Sequence, residues 1–159
     1  MVIVLSPEEV KIAQFLGKKR RESARSNGVK DTQVGKQNPV DIDVDGMLAE
    51  LAFAKSFNLY PDMTVGPRSG GADFILKDGT TVDVKATRYK TGKLLATKKK
   101  TQQPCDYYVL AVINEDNTVK LCGMSSKEKL FTEGNLINLG HGEGYAVTQE
   151  NLDPLVFSV

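Results

Sequence analysis

The sequence predicts an α/β or α+β fold, one sheet with helices packed against it. Three observations predict it. Two stretches with helical spacing open the chain, short strand-like runs follow, and a helix-start signal returns near residue 125, an order that gives a helix-covered sheet. The length, 159 residues, suits a single domain whose core needs no staple. A hydrophobic fraction of 40% with 26% charged residues is that of a globular protein, and no apolar run approaches the ~20 residues of a membrane helix.

The elements follow in order. Ser6-Pro7-Glu8-Glu9 starts a helix over about 7–27: Ser6 is the N-cap, Pro7 the first helical residue and Glu9 the reciprocal capping partner. Val10, Ile12, Ala13, Phe15 and Leu16 recur at helical spacing, and Gly28 ends the run. Residues 31–40 lack periodicity and read as a loop. A second helix over 43–57 is apolar almost all round and should be buried. Residues 72–76 and 80–87 read as strands around Asp78-Gly79, after a loop with Pro61 and Pro67. Short strands are expected at 94–97, 118–123 and 145–148, and 107–113 suits a fully buried strand. Ser125 and Glu128 form a capping box for a short helix, and 140–144 is a glycine-rich loop.

Several function classes are excluded or weakened. Residues 1–5 are too short for a signal peptide and acidic Glu8 and Glu9 follow, so the expected location is the cytoplasm. Cys105 and Cys122 read as free thiols, since two lone cysteines make neither a disulfide framework nor a zinc site. His141 is the only histidine, which leaves a zinc site or a histidine triad little support. The loop around it lacks the strand-then-helix context of a phosphate loop.

The net charge of +1 hides an asymmetry. Residues 84–105 carry seven bases and no acid: Lys85, Arg88, Lys90, Lys93, Lys98, Lys99 and Lys100. Residues 11–37 carry eight bases against Glu22 and Asp31, and the rest of the chain is acidic. Such a separation suggests a basic surface for a polyanion.

In the strand Thr81-Val82-Asp83-Val84-Lys85-Ala86-Thr87, alternate residues share a face. Val82, Val84 and Ala86 point to the core, and Asp83, Lys85 and Thr87 point away, with Asp83 and Lys85 ~6.6 Å apart along the strand. Such a pair can hold a metal and a phosphate between them. Asp73 joins it only in one register. A three-residue loop, Lys77-Asp78-Gly79 with Gly79 left-handed, pairs Leu76 with Thr80 and sets Asp73 opposite Asp83. A two-residue turn would set Asp73 opposite Val84 instead. Opposed carboxylates repel, and a cation between them removes that cost, so the chemistry favours the longer loop. Glu50, alone on the apolar second helix, either lies at the edge of the buried stripe or points into a site holding a cation or lysine.

An acidic helix residue, an aspartate, a short hairpin and Asp-x-Lys before a basic stretch together resemble the PD-(D/E)XK nuclease superfamily, which includes restriction endonucleases and archaeal Holliday-junction resolvases. The resemblance is carried by Glu50, Gly71-Ala72-Asp73, Asp83-Val84-Lys85 and the strand from Tyr107, and it spans roughly residues 46–113. Ala72 stands where the motif has proline, and Asp83 is the less common of its two acids. The resemblance implies a restriction-endonuclease-like core, a central mixed sheet flanked by helices, filling 1–159. It implies hydrolysis of phosphodiester bonds in duplex or branched DNA, with homodimerisation to cut two strands. Asp73, Asp83 and the Val84 carbonyl would hold Mg²⁺, with Mn²⁺ as a substitute, and Glu50 would hold a metal-bound water or a second metal. Lys85 would orient the attacking water, and Arg88, Lys90, Lys93, Lys98, Lys99 and Lys100 would contact the nucleic-acid backbone. The competing expectation is an inactive member of that fold that binds DNA or protein.

Overall fold

An almost wholly apolar helix organises the molecule. In the computed structural model, which describes residues 1–29, 38–66, 71–140 and 142–157, helix α2 spans Pro39–Ser56 and buries every residue from Met47 to Ala54. It begins earlier than the apolar pattern predicts, because Asn38 caps it, accepting the Val40 N–H at 3.0 Å, and Pro39 supplies the first turn. The remainder of the expected loop, residues 31–37, lies outside the described residues, as do Pro67, Gly70 and His141.

Helix α1, Pro7–Ser26, has the predicted capping box: Ser6 N–H donates to Glu9 at 2.6 Å and Glu9 N–H donates to Ser6 Oγ at 3.1 Å. It packs on α2 at Gly17, where a Cβ would sit 2.8 Å from the Val44 backbone. Only a residue without a side chain permits that approach.

The main sheet has the order β1-β6-β5-β3-β2, with β1 Val2–Val4, β2 Phe74–Ile75, β3 Thr81–Thr87, β5 Tyr107–Ile113 and β6 Thr118–Ser126. β3 and β5 run parallel and the other neighbours antiparallel, so the sheet is mixed. The β3–β5 connection passes through β4, Leu94–Thr97, and a 3-10 helix, Lys98–Gln102. β4 leaves the main sheet and pairs with β8, Glu143–Val147, which pairs with β7, Leu136–Asn138, in a second, three-stranded sheet.

The fold is therefore α+β, a mixed sheet flanked by helices. Val82, Val84, Val109 and Ala111 meet α2 on one face. Tyr108 and Leu110 meet Leu94, Ala96 and Val147 of the second sheet on the other, with Leu130 of the short helix α3, Lys127–Leu130. That cover makes the Asp83 face of β3 a buried face, where alternation alone predicts an outward one. Asp106 ties the parallel pair together by accepting the Thr81 N–H at 2.9 Å, the Thr81 hydroxyl at 2.7 Å and Lys127 at 2.8 Å.

Other boundaries shift. The N-cap of α3 is Ser126, which accepts the Lys129 N–H, so the expected Ser125–Glu128 box is displaced by one residue. β2 is shorter than 72–76, β6 runs on past residue 123, and β8 starts inside the expected glycine loop. β1 and β7, three residues each, have too little alternation to be read as strands. Among the described residues no helix is long and apolar enough to cross a membrane.

Gly17→Ala should force α1 and α2 apart and lower stability by about 1–3 kcal/mol, the usual cost of overpacking a close contact. Urea denaturation measures it, and an unchanged midpoint would show that the two helices can separate without loss.

Candidate active site

The hairpin between β2 and β3 adopts the three-residue loop. Gly79 has φ +87, Gly79 N–H donates to the Leu76 carbonyl at 2.9 Å, and Leu76 N–H donates to the Thr80 carbonyl at 2.8 Å. Phe74 lies across from Val82 and Ile75 across from Thr81, the register that carries Asp73 towards Asp83. The ladder then stops. Asp73 N–H donates to the Val82 carbonyl at 3.0 Å, and its carboxylate accepts the Val84 N–H at 2.8 Å. Asp73 thus takes with its side chain the backbone donor that a longer β2 would have taken with its main chain. The N–H and C=O of one strand residue point to the same side, so the Val84 carbonyl faces the same gap.

Asp83 is buried, with 3% of its side chain exposed, between two lysines. Lys100 donates to Oδ1 at 3.0 Å. Lys85 forms an ion pair with Oδ2 without hydrogen-bond geometry, which leaves Oδ2 a buried oxygen with no hydrogen-bond partner. Burial pushes the Asp73 carboxyl up to about 7, the charges of Glu50 and Asp83 add to the shift, and the Val84 N–H and Lys85 oppose it. Burial and the neighbouring Asp83 charge hold the Cys105 thiol up at about 11, so it lines the site as a neutral group.

Glu50 is buried, which decides between the two positions open to it from sequence. Its partner is Arg20 of α1, whose Nη1 lies 3.0 and 3.4 Å from its two oxygens. The same guanidinium donates to the Thr64 carbonyl at 3.0 Å and to the Asp62 carbonyl. Arg20 therefore fixes Glu50 and the loop between α2 and β2 together, a role for which the sequence carries only the signal that a buried acid needs a cation. A cavity of about 640 Å³ lined by Tyr60, Met63, Asp73 and Ile75 opens beside that loop.

The basic stretch divides. Arg88 makes a two-pronged contact with buried Asp45 of α2, at 2.6 and 2.8 Å, Lys98 pairs with Glu143, and Lys100 turns inward to Asp83. These three are engaged within the protein. Lys90, Lys93 and Lys99 are exposed and form no ion pair among the described residues.

Among the described residues no three His, Cys, Asp or Glu side chains converge closely enough to hold a metal alone. Glu50 is engaged by Arg20, and its charge acts on Asp73. What fits a hard divalent cation is a smaller set of oxygens: Asp73, buried Asp83 and the Val84 carbonyl, with waters to complete the shell.

Residues 2–127 match the model of one protein family, described as a family of unknown function (DUF5843). Glu50, Asp73, Asp83, Lys85 and Lys100 all fall within the matched span, and β7 and β8 beyond it. No curated protein and no solved structure matches the chain.

The raised Asp73 pKa sets a pH dependence. An unfolded aspartate releases its proton near ~3.9, whereas the folded chain keeps it to about 7. The stability contributed by neutral Asp73 is thus full at low pH and lost as pH rises through about 7. In chelator, Asp73→Asn should lose less stability than the parent between pH 4.5 and 8. Equal slopes in urea denaturation would show that Asp73 is ionised across that window.

Proposed function

We propose that this chain, which belongs to the DUF5843 family, hydrolyses phosphodiester bonds in DNA with a divalent cation, Mg²⁺ or Mn²⁺, held by Asp73 and Asp83. One observation carries the reading: a buried aspartate, one of whose oxygens has an ion-pair partner but no hydrogen bond, stands beside a second carboxylate at the point where a strand ladder ends. Neighbouring buried acids cost stability unless a cation joins them. Supporting it, α2, the β2–β3 hairpin and the parallel strand β5 follow in the order of a restriction-endonuclease-like core.

When bound, the metal polarises the phosphate and lowers the pKa of a water. The protein's own groups do the rest. Lys85, two residues beyond Asp83 on β3, orients the attacking water and stabilises the charge that develops on the phosphate. Asp83 is held in place because β3 is locked between β2 and β5, and Asp73 because its carboxylate accepts the Val84 N–H of that strand. Arg20 holds Glu50 in position, where its charge acts on Asp73. Lys90, Lys93 and Lys99 supply free cations for the DNA backbone.

A second reading, an inactive binding module of the same fold, is favoured by one observation: Asp83 already has two ammonium partners and is neutralised without metal. Cleavage separates the two. Single-stranded, duplex, flap and four-way-junction DNA should be tested with Mg²⁺ or Mn²⁺. The nuclease reading expects cleavage of at least one substrate, lost in Asp73→Asn and Asp83→Asn together with metal binding. Lys85→Ala should bind metal and DNA and slow single-turnover cleavage by about 10²-fold or more. Metal-independent DNA binding with no cleavage of any substrate would favour the inactive module.

A further inference from the structure

Lys100 lies outside the Asp-x-Lys motif, yet its Nζ is 3.0 Å from Asp83 Oδ1. It belongs to the 3-10 helix Lys98–Gln102, which the Lys98–Glu143 pair ties to β8 and which the Thr101 hydroxyl closes on itself by donating to the Lys98 carbonyl at 2.7 Å. Lys99 is exposed, and Lys100 reaches inward with 30% of its side chain exposed. Asp83 therefore holds one ammonium on each oxygen.

A divalent cation joining Asp83 to Asp73 adds two positive charges to a carboxylate that already meets two. One ammonium must withdraw. The two lysines are not equivalent. Lys85 is carried by the central strand β3, two residues from Asp83, and its place is set by the sheet. Lys100 comes from a short surface helix outside the main sheet, and its side chain is as exposed as that of Lys85, so what separates the two is the backbone that carries them. Its withdrawal breaks one hydrogen bond and disturbs no ladder.

We propose that Lys100 stands in for the metal on Asp83 in the metal-free protein and is displaced when the metal binds, which frees it to contact a substrate phosphate. The inference rests on the divalent-metal reading of the site. Under it, Lys100 keeps buried Asp83 neutralised while the site is empty, and metal loading exposes a new cation beside the reaction centre. Metal binding and DNA affinity are then linked through one side chain. In the metal-free protein Lys100 is a positioning residue, with no contact to substrate.

Two measurements on the full chain test it, neither of which reads cleavage. In the first, the reactivity of individual lysines towards an amine-modifying reagent is followed by mass spectrometry, with and without saturating Mn²⁺. Lys100 should become several-fold more reactive with the metal and Lys99 should not change. In the second, calorimetry compares Mn²⁺ binding by the parent, Lys100→Met and Lys99→Met. Lys100→Met should bind about 5-fold more tightly or better, the lower end for coupled sites, and Lys99→Met should match the parent. A merely structural Lys100 would leave metal affinity unchanged or reduced. If the parent binds Mn²⁺ while Lys100 reactivity and the Lys100→Met affinity stay constant, the displacement is overturned and the metal site stands. If Lys100→Met alone binds Mn²⁺, the competition is upheld in its strongest form. If no variant binds Mn²⁺ or Mg²⁺, the metal site itself fails and the displacement with it.

Discussion

A charged carboxylate is kept in the interior at Asp83, and much of the surrounding architecture answers that constraint. Burial of an ion is stabilising only with close partners, and loss of one partner of a buried pair costs about 3–5 kcal/mol. Lys85 arrives from the same strand and Lys100 from the helix that follows β4. That second partner requires the β3–β5 crossover to leave the main sheet, form β4, and be anchored on β8. The second sheet thereby buries the Asp83 face and holds the helix that neutralises it.

A matching arrangement secures the other side. Glu50 is an acid within the buried stretch of α2 from Met47 to Ala54, and Arg20 brings α1, α2 and the loop before β2 to one point around it. The Gly17–Val44 approach brings the two helices close enough for this contact. Arg88 and Asp45 tie the end of β3 to α2 in the same way. Acids on α2 and on β3 are thus held by cations from α1, from β3 and its end, and from the helix after β4. Burial raises the Asp73 carboxyl most, and the charges of Glu50 and Asp83 add to the shift.

Much of this was legible in the sequence where a local rule was strong. The Ser6–Glu9 box marked the start of α1, strands β4 and β5 fell on their expected residues, and the Lys77-Asp78-Gly79 loop set the register that leads to Asp73. Of the two turns open to the hairpin, only that loop brings the two acids together. What stayed hidden depended on distant segments. Nothing local tells which of three consecutive lysines turns inward, because the direction of Lys100 is set by the β4–β8 pairing far along the chain. Arg20 looked like one base in a polar helix end, and only tertiary contact makes it the partner of Glu50. Arg88 and Lys98 looked free for the same reason, their partners Asp45 and Glu143 being 43 and 45 residues away. Edge strands of three residues carry too little alternation to be seen at all.

The central claim is that the gap where the β2–β3 ladder ends is a divalent-cation site. A crystal structure of the protein soaked in Mn²⁺, with anomalous scattering recorded at the manganese edge, tests it most directly. The account predicts one strong anomalous peak bridging the Asp73 and Asp83 carboxylates within reach of the Val84 carbonyl. A peak elsewhere, or none at that gap in crystals that diffract well, would contradict it.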